Sequence, residues 1–158
     1  MDKIDYHLIS LLQENARMPL KQLAERVFLS SPATAARLER LEKSGIISGY
    51  GVKVDHKMLG YPITAFINLE VQPSQKTVFY PFITAHPNVL ECNCVTGDYS
   101  MLIKVAFEST EALDVFIGQL QTFGRTQTQI VFSTAKEQAS VDLENIINGN
   151  YPEVPEVK

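Results

Sequence analysis

Three cations recur at three-residue steps in this chain: Arg37, Arg40 and Lys43. An arginine fork can bond bidentately to a guanine edge or a phosphate, and a lysine supplies a point charge to the same groups. The three lie beside a stripe of Thr34, Leu38 and Leu41 that reads as buried, so they are expected to face outward from an amphipathic helix. The N-terminal half of that helix holds Ser31, Pro32, Ala35 and Ala36. Such small residues let a backbone come close to a DNA groove and read its shape as well as its bases. Arg37 is the expected main base or phosphate contact, with Arg40 and Lys43 touching phosphate or solvent. The plainer alternative is a set of solvated helix charges paired with Glu39 or Glu42. Other chemistry has little to build on. Cys92 and Cys94 sit at i, i+2 with only His86 nearby, too few ligands for a metal, and read as buried thiols. His7, His56 and His86 form no spaced pair, and no nucleophile elbow, phosphate loop or paired carboxylates are visible, so neither a metal site nor a catalytic residue is expected.

The elements that must position these residues can be read around them. Leu20, Leu23, Ala24 and Val27 recur at helical spacing, and Phe28 to Ser30 interrupts the pattern. Ser30 and Ser31 offer hydroxyls to uncapped amides, and Pro32 suits a first helical turn. Two short helices around a tight turn make a helix-turn-helix, whose second helix enters the DNA major groove. Ser30, at its start, belongs to the same expected interface. Upstream, Ile4, Leu8, Leu11 and Leu12 form a helical stripe with Asp2 placed as its cap. Downstream, Gly45 suits a helix end, and residues 46–54 read as a short hairpin that would complete a winged helix, with Lys53 its one basic residue.

Composition sets bounds. The 158 residues suffice for one domain or two small ones, and 45% hydrophobic with 20% charged residues reads as soluble and globular. No apolar run approaches the roughly 20 residues of a membrane span, and the polar start shows no secretory signal, so a cytoplasmic location without membrane contact is expected. Net charge is −4, unevenly spread: residues 1–50 hold seven Lys/Arg and six Asp/Glu, and residues 51–158 hold seven and twelve. Acid thus gathers away from the expected DNA-binding part. The first part is still only weakly basic, which suggests that affinity depends on dimers or larger assemblies.

Beyond a polar hinge at 55–61, the apolar pattern changes from period 3.6 to period 2. Strands are expected at PITAFINLEV, VLECNCVTG, SMLIKVAF and TQTQIVFST. One helix is expected around Val78 to Ile83, kinked or stopped by Pro81, and another is capped by Ser109 or Thr110. Residues 62–134 therefore read β-α-β-β-α-β, a ferredoxin-like split βαβ. Ile67, Ile103 and Val105 fall near the sheet centre, where an exposed apolar face or edge would drive a homo-dimer. Residues 135–158 read as a short helix ending at Gly149, with Val141, Ile146 and Ile147 for docking, then a mobile acidic tail. The fold class is thus α+β: a winged helix-turn-helix over 1–54, then the ferredoxin-like domain.

DKIDYHLISLLQENAR, LAERVFLSSPATAARLERLEKSGIISGY, LGY before the sheet and VTGDYSMLIKV together carry a resemblance. The chain resembles the Lrp/AsnC, or feast/famine, family of transcription regulators over about residues 2–134. The resemblance implies an N-terminal DNA-binding domain for double-stranded DNA and a C-terminal effector domain. It also implies dimers through the sheets, often assembled into octamers, and no cofactor beyond a small-molecule effector. That effector is usually an amino acid, bound between subunits near the turn after the second strand, here Gly97, Asp98, Tyr99 and Ser100. Four residues depart from the family pattern: Phe28 for a turn glycine, Pro19 for a serine-type cap, Ser100 for a frequent aspartate, and Gly124 for a usual valine. An amino acid's carboxylate is best held by backbone N–H groups, which the Gly97-Asp98 turn can offer. Its ammonium would fall to Asp98, or to Thr126, Gln127 or Thr128 of a neighbouring subunit. Two other readings share the scaffold: a siroheme decarboxylase-like enzyme, and an assembly module that does not bind DNA.

Overall fold

The computed structural model describes residues 1–136 and 141–153, apart from the side chains of residues 143 and 144. Residues 137–140 and 154–158, the latter including most of the expected acidic tail, lie outside it. The chain divides into two compact units, Met1–Lys53 with the segment from Lys136 onward, and Val54–Ala135.

The first unit is helical. Helix α1 (Lys3–Glu14) opens on a reciprocal capping box in which Asp2 Oδ1 accepts from Asp5 N and Asp5 Oδ2 accepts from Asp2 N, each at 3.0 Å. Helix α2 (Leu20–Arg26) starts after Pro19, which leaves no orphan N–H at the cap, and α3 (Ser31–Lys43) follows a four-residue turn. Leu8 and Leu11 of α1 meet Leu23 and Val27, with Ile4, Leu12, Met18, Leu29 and Leu38 around them. Leu20, expected on this face, is 39% exposed because a first-turn side chain leans back past the end of the helix. The expected hairpin over 46–54 is absent. The segment is irregular, tied down by Ile47 N donating to Leu41 O at 3.1 Å and Tyr50 Oη donating to Glu42 Oε1 at 2.7 Å. Val52 stands 89% exposed, so there is little apolar burial to hold a ladder here. A last helix, α6 (Leu143–Ile147), belongs to the same unit and borders a hollow lined by Lys3, Tyr6, His7, Ser10, Ile147 and Asn148.

The second unit is a four-stranded antiparallel sheet with helices on one face. Its strands are β1 (Ile63–Val71), β2 (Val89–Cys94), β3 (Met101–Phe107) and β4 (Gly124–Ile130), in spatial order β2-β3-β1-β4. Helices α4 (Lys76–Ala85) and α5 (Thr110–Gln121) cover one face. Ser109 caps α5, its Oγ accepting from Ala112 N at 3.2 Å. Phe79, Ile83, Leu113, Phe116 and Leu120 close over Ala65, Ile67, Leu69, Met101, Ile103 and Val105. Helix α4 runs through Pro81 to Ala85 rather than stopping, anchored on both sides by buried Phe79 and Ile83. Ile67, Ile103 and Val105 are fully buried beneath the helices, so they cannot form an exposed apolar face. The opposite face alternates Phe66, Asn68, Leu102, Lys104 and Gln127, with the Lys104 ammonium 5.9 Å from the Phe66 ring centre. Pleat parity decides this: Ala65, Ile67 and Leu69 of β1 pair with Val105, Ile103 and Met101 of β3 on the helix-covered side, and Phe66 and Asn68 pair with Lys104 and Leu102 on the other.

Candidate nucleic-acid interface and effector turn

Helix α3 is positioned by local rules. Ser30 Oγ accepts from Ala33 N at 3.4 Å, Pro32 occupies the first turn, and Thr34 Oγ1 donates back to Ser30 O at 3.1 Å. Thr34 and Leu41 are buried and Leu38 packs at the edge of the core, as their spacing requires. Pro32, Ala33 and Ala36 are exposed, and Ser31 and Ala35 are half-buried. The turn before the helix closes with Phe28 in the left-handed region, φ 55°, so this chain places an aromatic where a glycine is sterically easiest. Its side chain is 93% exposed, while Leu29 turns inward and donates its N–H to Ala24 O at 3.0 Å.

The cations are not placed as their spacing suggested. Arg37, expected outward, lies beside the buried stripe with its side chain 26% exposed. Its Nη1 donates to Asp2 Oδ2 at 2.7 Å and to Asp5 Oδ1 at 2.9 Å. Arg40 Nη2 donates to both oxygens of Asp5, at 2.8 and 2.6 Å. Lys43 pairs with Glu39 at 2.6 Å across one helical turn. Each basic residue of α3 is therefore bonded to an acid, and the acids that hold the arginines come from α1. The Asp5 side chain is 1% exposed. Burial alone would raise its pKa, but the Asp2 N–H and the Arg37 guanidinium prevail and hold it below the ordinary value. The Asp5 N–H, then Arg37, lower Asp2, and bonds to Asp2 and Asp5 raise Arg37. Periodicity missed this pair of acids. The available signal was the Asp2/Asp5 spacing together with arginines three apart, which lets both reach one carboxylate.

In the second unit, Val95 N donates to Ser100 O at 3.0 Å and closes the turn between β2 and β3, with Gly97 at φ 113°. Asp98 is exposed, and among the described residues the N–H groups of Gly97, Asp98 and Tyr99 have no acceptor. Ser100 is committed elsewhere. Its Oγ accepts from Val71 N at 3.0 Å and donates to Leu69 O at 3.3 Å, and its N–H donates to Leu69 O at 3.2 Å. Thr126 and Thr128 lie opposite Leu69 and Ile67, on the helix-covered side, and Gln127 lies opposite Asn68 on the other. Within one chain the three do not share a face. The β4 residue that reaches the turn is Arg125, whose guanidinium lies 4.9 Å from the Tyr99 ring centre and whose Nε donates to Glu70 Oε2 at 3.3 Å. A single arginine in an otherwise polar strand carried no periodic signal.

Cys92 is half-buried and Cys94 exposed, so the expectation of two buried thiols holds for neither fully. Burial, then the neighbouring Cys94, pushes the Cys92 thiol up. Among the described residues, no three His, Cys, Asp or Glu side chains gather as metal ligands, and no helix is long and apolar enough to cross a membrane.

A capped, small-faced second helix ahead of a sheet domain with an open turn defines a class: helix-turn-helix regulators joined to a ligand-binding domain. Residues 1–48 match the model for winged helix-turn-helix DNA-binding, and residues 64–141 match the Lrp/AsnC ligand binding domain. The chain is 37% identical over 135 residues to an HTH-type transcriptional regulator of Bacillus subtilis, YezC, covering 85% of this chain and 96% of that one. It is 30% identical to the structure of B. subtilis LrpC, with a TM-score of 0.83, over 87% of this chain and 99% of that one. A Neisseria meningitidis regulator, NMB0573, solved as an L-Met complex, matches at 28% identity and a TM-score of 0.86, over 92% and 99%. The chain belongs to the Lrp/AsnC family of transcription regulators. The relatives are named as transcriptional regulators, so an enzyme role such as the decarboxylase reading is not indicated.

Proposed function

We propose that this chain binds double-stranded DNA in a sequence-dependent way through α3, and that a small molecule at the turn of residues 97–100 modulates binding or assembly. The observation that carries the first part is the exposed face of Pro32, Ala33 and Ala36 on a helix fixed by the Ser30 cap and the Thr34 anchor. With so little side chain in the way, the helix can seat deeply in a groove. Ser30, Ser31 and Ala35 border that surface, and Arg40 and Lys43 flank it.

An amino acid is the effector class we favour. The unpaired N–H groups of Gly97, Asp98 and Tyr99 suit a carboxylate, and exposed Asp98 suits an ammonium. The L-Met bound to the Neisseria relative supports the class, not the specificity. Ser100 acts as a strap between β1 and β3, and any contribution from Thr126, Gln127 or Thr128 comes from a second copy. A homo-dimer, with octamers as its further assembly, and a cytoplasmic location complete the proposal.

The test is a fluorescence-anisotropy titration of the protein on its own upstream DNA, at two salt concentrations, with and without pooled amino acids. Salt-sensitive binding that the pool shifts supports both parts, since coupled sites change each other's affinity. Binding indifferent to the pool removes the effector. Absence of binding under every condition favours the assembly-module reading, for which the fully paired cations of α3 are the physical argument.

A further inference from the structure

We infer that Asp5, with Asp2, is a specificity device: it retains Arg37 and Arg40 in internal ion pairs, so that α3 meets DNA with its positive charge already neutralised. This rests on the proposal that α3 binds DNA. Four donor bonds from two arginines converge on three carboxylate oxygens of α1, and the third cation of the helix is taken by Glu39. The cap of α1 does not require this. One oxygen of Asp5 suffices for the Asp2 N–H, yet both oxygens of this side chain carry arginine bonds.

The arginines cannot move to phosphate without cost. Arg40 is 60% exposed, within reach of solvent and of a bound duplex, but Asp5 is 1% exposed and cannot follow it. Pulling Arg40 or Arg37 away leaves a buried carboxylate short of its partners, the costly way to break such a pair. Free arginines on a groove-facing helix would bind any duplex by releasing counterions, whatever its sequence. Holding them back removes that sequence-blind affinity and leaves discrimination to the small residues that touch the groove. Asp5 is thus a positioning residue that makes no contact with DNA itself.

The experiment titrates the full chain onto a fluorescein-labelled duplex of mixed sequence over a series of NaCl concentrations. It compares wild type, Asp5→Asn and Asp2→Asn. Asp5→Asn keeps an oxygen for the Asp2 N–H but loses the charge that holds both arginines. The expected result is several-fold tighter binding to this unrelated duplex at low salt. The slope of log K against log salt should steepen by about 1–2, since each further phosphate neutralised by a released arginine adds roughly 0.9. Asp2→Asn releases only the exposed contact to Arg37 and is expected to move the slope the same way by less. It carries the test if Asp5→Asn does not fold, which a circular-dichroism melt reports. A purely structural role for Asp5 predicts lower thermal stability with an unchanged slope, and that outcome in a folded variant overturns the inference alone. If wild type and both variants fail to bind any duplex at the lowest salt, the DNA-binding proposal falls and the inference falls with it.

Discussion

Gly124 begins β4 opposite Val71, and a Cβ built on it would lie 1.8 Å from the backbone oxygen of Glu70. Real Cβ contacts essentially never fall below 3.0 Å, so Gly124→Ala must push the two strands apart by roughly 1 Å or more. The obstacle is backbone in the central strand and cannot rotate away. Overpacking of this kind costs about 1–3 kcal/mol. The flanking bond from Gln72 N to Phe123 O, 3.1 Å, sits at the same end of the ladder and adds about 1 kcal/mol if lost. A total near 3 kcal/mol corresponds to a fall in Tm of roughly 12–24 °C for a unit of this size melting by itself. Gly118 supplies the control. It is exposed in α5 with nothing within 4 Å of an added Cβ, so Gly118→Ala should stabilise by about 0.5–1 kcal/mol. Differential scanning calorimetry of both variants decides the matter. Melting of Gly124→Ala at the wild-type temperature, or shifts of the same sign in the two variants, would refute the reasoning. A tolerant Gly124→Ala would mean that β4 can start further from β1.

Three further outcomes follow from the same structure. Phe28→Gly should be more stable than wild type by up to about 1 kcal/mol and melt higher, because a left-handed non-glycine costs about 1–2 kcal/mol and added chain entropy offsets part of the relief; Phe28→Val should melt lower, and a reversed order would show the turn to be unstrained. Burial lowers the pKa of His86, whose ring centre lies 4.4 Å from that of Phe116 and whose Nδ1 accepts from Asn88 N at 3.3 Å. The unfolded chain therefore takes up the proton first, and Tm should fall as pH drops through and below 6.5, a dependence that His86→Phe should flatten. Asp5 is depressed below 3.8, so its contribution is complete above that value and is lost only as pH falls from there through the folded value. An acid melt followed by circular dichroism should show a step below pH 3.8 that is smaller in Asp5→Asn.

What could be read directly in the residues was local. The Asp2, Ser30 and Ser109 caps, the helical stripes of α1 and α3 and the alternation of β1 each depend on neighbours within a few positions. Helix and strand follow from such spacing, and so did the order of elements that placed the chain in its fold class. The hairpin over 46–54 failed because β-branched residues and glycines mark where a turn is possible, not whether an apolar surface waits to bury it. Ile67, Ile103 and Val105 were rightly placed at the sheet centre. Which side of the sheet the helices cover, however, is a property of the packed unit.

The chemistry of the candidate sites was decided by contacts far apart in the chain. Arg37 stood three residues from Arg40 and looked like part of one outward row. Its partners, Asp2 and Asp5, lie more than 30 residues earlier, and only the crossing of α1 against α3 brings them within 2.9 Å. Ser100 looked available for a ligand until β1 supplied Leu69 O and Val71 N to its hydroxyl. Gly124 looked like a mere departure from valine until the Glu70 carbonyl filled the space of its missing side chain. In each case the sequence by itself determined the element and the residue's place on it. Tertiary structure determined which charge, hydroxyl or void that residue meets, because an ion pair or a steric contact depends on distance in space, and spacing along the chain sets that distance only within a turn or a strand.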